Sequence, residues 1–379
     1  MRTIPQCVVA ALSINLICVN ALHAAAPAAA PATAATSEPA PAHKIVIPAG
    51  FKAVAVNARN VLCEPADEGW VVTALGKIQP TTKPATLPAS MLQRAMDQRT
   101  PLLQQLARDL ALTDLAAAAA TYDKDLVGGL RTLDEYKPMI YYLVATPDRV
   151  ATLMREGWSD PHFYYNRAAD AVTFNPIGVL ATERSQDDVL FPAAYDAKDS
   201  PDKRAENLAA AIAVTEVQIQ TSIDIKARST VGATFAQLVV DQGTKPLDLK
   251  PDQEWFGVGV ASVLSAKYAA VITAESFDNL MTLLTQDNPG NPLKTSAVDL
   301  VHPGDVKMMR DEALPAYFDT VRRKSARAIR FLTTKGGDQA IPKAIVTIKA
   351  KKPADNAALI KVIQEATGVD LTPQLAKGI

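Results

Sequence analysis

The feature that most constrains this fold is the apolar stretch over residues 229–264. Its first half carries Val231, Phe235 and Leu238 at helical spacing, and residues 255–264 are apolar on nearly every side. A helix that is apolar all round has no face to offer water, so it must lie inside a core. Gly and Pro break residues 243–251 into a loop. The chain is therefore expected to be organised around two adjacent buried helices.

The composition is that of a globular chain with enough length for a sizeable core. It has 379 residues, of which 48% are hydrophobic and 21% charged, and a formal net charge of -1. Such a balance carries no signature of nucleic-acid binding or of attraction to an anionic membrane. The short basic run 349–352 is interpreted as a solvated helix end. We therefore expect no nucleic-acid partner.

The N-terminus, residues 1–26, has the pattern of a secretory signal peptide. Arg2 supplies the positive charge, residues 7–22 form the apolar region, and small residues before Ala26 fit a cleavage site. The pattern predicts a secreted or periplasmic protein with no membrane span in the mature chain. An uncleaved anchor is left open as an alternative.

An Ala/Pro-rich segment over residues 27–42 follows, and it is expected to be a disordered linker. Cys7 and Cys18 would leave with the signal peptide. The remaining Cys63 cannot form a disulfide within the chain, which excludes a disulfide-stabilised scaffold.

Residues 43–135 are predicted to form a helical N-terminal region with a few short strands. A helix is expected over 90–115, where Pro101 marks a kink or a second helix start, and the alanine run 116–120 would extend it. A short strand is expected over 44–47.

The pattern changes after residue 138. Aromatic and β-branched residues predict a strand over 139–145, a hairpin formed by 163–165 and 171–174, and a strand or sheet edge over 187–195. Helical periodicity then predicts a long helix over 205–228. The remaining helices are predicted over 314–334, 340–348 and 356–367.

The order of these elements resembles the gluzincin, or peptidase MA-like, family of zinc metallopeptidases. The resemblance covers about residues 138–375. It is carried by the hairpin, by the Trp, Gly, Ala and Leu positions of 255–264, by the tail segment 328–342, and by its end at 366–371.

The resemblance implies an α+β, mostly helical fold. Residues 136–379 would form a zincin-like domain, in which a small sheet with a hairpin packs on the central helix pair and a helical tail follows. The helical region 43–135 would precede this domain.

The resemblance also implies where a zinc site would stand, and this chain departs from it there. The two histidine ligands fall on Ala233 and Gln237, the catalytic glutamate on Thr234, and the third ligand on Val258. Alanine and valine cannot ligate zinc, and threonine is no general base at neutral pH. These four positions are therefore interpreted as a vestigial metal site, with no metal, no cofactor and no catalytic residue.

Tyr164, Tyr165 and Trp255 are expected to form the wall of the remaining cleft. The favoured hypothesis is an exported, catalytically inactive peptidase-like protein, a pseudoenzyme that binds or scaffolds an unknown peptide or protein partner. One alternative is a hydrolase whose metal site has moved to His162 and His302 with an acidic residue. Another is an exported helical binding protein unrelated to the family.

Overall fold

The computed structural model describes residues 50–55, 60–66, 87–135, 139–145, 163–166, 171–174, 188–194, 200–302 and 314–378. Backbone contacts divide the chain into two compact units. Among the described residues, the first unit contains those of 88–132 and 227–378, and the second contains those of 50–87 and 133–226. The predicted signal peptide, the linker and the strand over 44–47 lie outside the described residues.

The second unit contains all the described strands. Four of them form one sheet in the order β1-β2-β3-β6. Strands β1 and β2 are antiparallel, whereas β3 runs parallel to both β2 and β6. The strands of this sheet are β1 (Phe51–Ala55), β2 (Asn60–Pro65), β3 (Met139–Ala145) and β6 (Asp188–Ala194).

The predicted hairpin is confirmed as a separate two-stranded sheet. Strand β4 (Phe163–Asn166) pairs antiparallel with β5 (Ala171–Phe174), and Phe163 lies opposite Phe174. The predictions of β3 and β6 are confirmed too, because their β-branched and aromatic residues suit a sheet. A few short strands were expected within residues 43–135, but the positions of β1 and β2 were not predicted.

Among its described residues, the first unit consists of helices joined by turns and loops. Short π- and 3₁₀-turns cover Tyr122–Val127, Val240–Thr244, Lys245–Leu247 and Thr295–Ala297. Helices α4 and α5 run on into the second unit. The helices of the chain are α1 (Leu87–Asp97), α2 (Arg99–Leu110), α3 (Ala116–Thr121), α4 (Gly128–Glu135), α5 (Pro201–Val239), α6 (Glu254–Thr273), α7 (Phe277–Thr285), α8 (Leu314–Gly336), α9 (Ala340–Lys351), α10 (Asn356–Thr367) and α11 (Thr372–Leu375).

Helix α6 is the core of this unit, as its apolar surface predicts. Fifteen of its residues are buried. The ring of Tyr268 lies 5.4 Å from that of Phe235 on α5. On another side Gly259 approaches α8 so closely that a Cβ there would lie 2.6 Å from both the Ser325 carbonyl oxygen and Ile329 Cγ1. Helices therefore cover α6 on both of these sides.

The end of α2 is tied to α6 by a buried carboxylate. Asp109 is 8% exposed. It accepts hydrogen bonds from Lys267 Nζ and from the Tyr268 hydroxyl, each at 2.9 Å. Because a buried charge is stable only when it is paired and hydrogen-bonded, these contacts fix α2 against the core.

The zincin-like fold predicted from the resemblance is wrong. That fold needs a sheet packed on the helix pair within one domain, but the unit that contains α6 has no strand among its described residues. The physical reason is that α5 and α8 already cover the apolar sides of α6. The expectation of a mostly helical chain is met in part, because helix predominates among the described residues.

The close approach of α6 and α8 makes a prediction about Gly259. A Gly259→Ala substitution places a methyl group against the backbone of α8, so we expect the free energy of unfolding to fall by roughly 1–3 kcal/mol. Urea denaturation measures this change.

Gly128 is the matched control because it also has helical dihedral angles, with φ -61°. A Cβ at Gly128 meets its nearest atom at 3.6 Å, an ordinary contact. Gly128→Ala should therefore stabilise the chain by roughly 0.5–1 kcal/mol through reduced backbone entropy. Equal effects of the two substitutions would contradict the proposed tight contact.

Candidate functional site

An open groove of about 390 Å³ lies between α2 and the start of α3. Its exposed surface is mostly apolar, although three of its seven lining residues are polar. The lining residues are Arg99, Thr100, Leu103, Gln104, Leu115, Ala116 and Ala119.

The groove exists because the chain breaks between α2 and α3. Ala111 adopts the left-handed conformation with φ 52°, which ends α2. Asp114 then accepts a hydrogen bond from the backbone N–H of Ala116 at 2.9 Å and starts α3. Ala116 and Ala119 share one helical face, and their methyl groups are too short to fill the space beside α2. The predicted extension of the helix through the alanine run 116–120 is wrong, and a helix that continued past Ala111 would have left no such groove.

One lining residue of the groove, Arg99, forms an ion pair with Asp123. Arg99 donates from Nε to Asp123 Oδ1 at 2.5 Å and from Nη2 to Asp123 Oδ2 at 2.6 Å. This hydrogen bonding lowers the pKa of Asp123 below its ordinary value. Both side chains are substantially exposed, so the pair fixes orientation more than it stabilises the fold.

The four positions interpreted as a vestigial metal site all lie on helices. Ala233, Gln237 and Val258 are half-buried, and Thr234 is buried. Gln237 Nε2 donates to Asp241 Oδ2 at 2.6 Å, so its amide is engaged within its own chain segment. Whether the four positions face one cleft stays a prediction.

Trp255 belongs to a buried polar network rather than to an exposed surface. It is 3% exposed, and its indole Nε1 donates to Asn356 Oδ1 at 2.7 Å. Asn356 in turn donates to the carbonyl oxygens of Leu300 and Val301. The indole therefore joins α6 to the start of α10. Sequence reasoning missed this role because Asn356 lies about a hundred positions away.

Two predictions remain untested: that Tyr164 and Tyr165 line a cleft, and that His162 and His302 form a relocated metal site. Tyr164 and Tyr165 lie on β4, and their side chains are outside the described residues, as is His162. His302 is exposed, with Nδ1 3.5 Å from Asp299 Oδ2. Within the described ranges, no three His, Cys, Asp or Glu side chains form a group suited to a metal ion. A relocated metal site stays a prediction.

A second polar feature is the row of cations on α8. Arg322 and Arg323 are 3% and 4% exposed, and both donate to the Asp319 carboxylate, at 2.7 and 2.9 Å. Arg323 also donates to the carbonyl oxygens of Leu283 and Gln286 at the end of α7. Cations at a helix C-terminus are stabilised by its dipole. This arrangement ties α7 to α8 and serves the fold.

Helix α6 passes a length and composition test for a membrane-spanning helix, and no other helix in the described part of the chain does. Of the apolar 18-residue stretch of α6 that meets this criterion, 72% is buried inside the folded chain. Its apolar surface is thus explained by its position in the core.

Comparison with known proteins identified no similar protein. No protein family model, no curated protein and no solved structure matches this chain.

The Asp319 cluster predicts a dependence of stability on pH. Burial raises the pKa of Asp319, but hydrogen bonds from Arg323 and Arg322 outweigh this and leave it below its ordinary value of 3.8. With the folded-state pKa depressed, the stabilisation is fully present above about pH 4 and is lost as pH falls further. The free energy of unfolding should therefore fall more steeply below about pH 4 in the wild type than in Asp319→Asn.

At neutral pH the Asp319→Asn protein should be less stable by roughly 2–4 kcal/mol, because two buried arginines lose their partner. Urea denaturation across the pH range measures both effects. The exposed Asp338→Asn is the control and should follow the wild type. A wild-type advantage over Asp319→Asn that stays constant down to about pH 2 would show that this carboxylate does not titrate as described.

Proposed function

We propose that this chain is an exported binding protein whose α2–α3 groove receives apolar side chains of a peptide or of a protein segment. The observation that carries the proposal is the groove itself, which is open and exposes mostly apolar surface, with Arg99, Thr100 and Gln104 as its polar lining residues. Concave apolar surfaces with a few directed polar groups are the usual form of ligand sites.

The ion pair beside the groove supports a peptide as the ligand. Arginine has five N–H donors, and Arg99 uses two of them on Asp123. The remaining donors are available to backbone carbonyl oxygens of a bound segment. Asp123 holds the guanidinium in place, so a ligand would not have to order it.

The lining favours binding over catalysis. Among its described residues it offers an arginine, a threonine and a glutamine, but no carboxylate, histidine or cysteine. Those are the groups that most often act as general acids, bases or nucleophiles. The pseudoenzyme interpretation is not carried forward, because the fold that implied it is wrong.

Export is supported by the sequence pattern of residues 1–26, with Arg2 ahead of an apolar region and small residues near Ala26. A binding protein outside the cytoplasm meets peptides and protein segments in a compartment where this groove would be accessible to them.

Blocking the groove tests the binding proposal. Peptides selected from a random display library on the full chain should be apolar and should lose at least about tenfold in affinity for Ala116→Glu, because the carboxylate enters an apolar surface. Fluorescence anisotropy of labelled peptides measures the affinity.

Ala117→Glu is the matched control. Ala117 is the next residue of α3, is exposed like Ala116, and is not part of the lining. It should leave the affinity unchanged. Selected peptides that bind Ala116→Glu as tightly as the wild type would refute the groove as the binding site.

Export has its own test. When the full chain is expressed in a bacterial host, we expect the protein in the periplasm or medium with a mass that corresponds to cleavage near Ala26. Intact-mass measurement of the fractions checks this. The full-length mass in the cytoplasm would contradict export and leave the groove proposal standing.

A further inference from the structure

The outer face of α9 combines an exposed apolar side chain with lysines. Six residues of α9 are buried on its inner face, including Ile341, Ile345 and Ile348. On the opposite side Val346 is 54% exposed. It is the most exposed large hydrophobic side chain in the described part of the protein, ahead of Met96 at 41% and Val271 at 38%.

Lysines frame this valine on both sides. Lys343 lies one helical turn before Val346 and Lys349 one turn after it, and both are exposed. Lys351 and Lys352 add positive charge at the C-terminal end of the helix, but they lie on other sides of it than Val346. Helix α9 itself contains no acidic residue. We call Lys343, Val346 and Lys349 the α9 lysine face.

Few anionic groups neutralise this face. Glu365 of α10 accepts from Lys351 Nζ at 2.6 Å. Among the described residues, no carboxylate lies within ion-pair distance of Lys343, Lys349 or Lys352. The face therefore keeps most of its positive charge, although the whole chain has a net charge of -1.

We propose that the α9 lysine face docks on the surface of an anionic phospholipid bilayer. At such a surface Val346 enters the boundary between headgroups and acyl chains, while the lysines reach outward to the phosphates. A nucleic acid would satisfy the lysines but would give Val346 no apolar partner. The proposal is independent of the α2–α3 groove.

The expected docking is weak, reversible and sensitive to salt. Each lysine close to an anionic surface strengthens binding by roughly fivefold. Screening weakens this attraction as the ionic strength rises, because the Debye length shortens. A single valine adds a further modest gain from its apolar area.

Vesicle co-sedimentation of the full chain tests the proposal. Vesicles of phosphatidylcholine with about one third phosphatidylglycerol should bind the wild type more tightly than pure phosphatidylcholine, and about 0.5 M salt should remove the difference. In the double variant Lys343→Glu/Lys349→Glu, the partition coefficient onto the anionic vesicles should drop by at least about 25-fold, because two contributions of roughly fivefold each are lost. Comparison within the full chain cancels any contribution of residues 1–26.

Two matched controls separate this face from general charge and exposure. Lys124→Glu/Lys377→Glu makes the same charge change at exposed sites elsewhere and should bind as the wild type does. Val346→Ser should weaken binding by roughly fivefold, whereas Val271→Ser on α6 should not change it.

The proposal fails if the wild type shows no preference for anionic vesicles. This measurement requires no variant. It fails equally if both double-lysine variants lose binding to the same extent, since net charge alone would then account for it. Binding of an acidic protein or of nucleic acid through these lysines, without vesicle binding, would assign the face to another partner and overturn it. Circular dichroism of each variant confirms that these exposed substitutions leave the helices intact.

Discussion

The close packing of α6 against its neighbouring helices is the contact on which the helical unit depends. Gly259 lets the backbone of α8 approach to a distance that no side chain would permit. Phe235 of α5 and Tyr268 close another side with their rings. A helix that buries fifteen residues cannot leave an apolar side open, so its neighbours must match it. Core helices thus occupy the places where a sheet was expected.

The polar contacts of this unit follow from that burial. Once α8 is packed on α6, its cations are removed from water and must find acceptors. Arg322 and Arg323 share Asp319, and Arg323 reaches the last carbonyl groups of α7. In the same way, the buried Asp109 of α2 finds donors in Lys267 and Tyr268 of α6. These contacts hold together elements that are far apart in sequence, and those of Asp109 fix α2, which forms one side of the groove.

The two proposed binding surfaces differ in how far sequence could predict them. The groove arises where α2 ends at Ala111, and Asp114, whose side chain accepts from the backbone N–H of Ala116, was a readable signal for a turn before a second helix start. The alanine run obscured that signal, because alanine extends a helix at little cost. The basic run 349–352 was noticed as a solvated helix end. Its association with Val346 and Lys343 needed the burial pattern of α9, which shows the side facing solvent.

The sequence by itself determined the local features of this protein. Periodicity and turn chemistry act over a few residues, so they correctly indicated the buried helix α6, the hairpin of β4 and β5, and the strands β3 and β6. Only the tertiary structure decided what covers α6, that Trp255 would bond to Asn356, and that α2 and α3 would leave a groove. These outcomes depend on contacts between residues far apart in the chain. An apolar face specifies that it must be covered, but not by which partner.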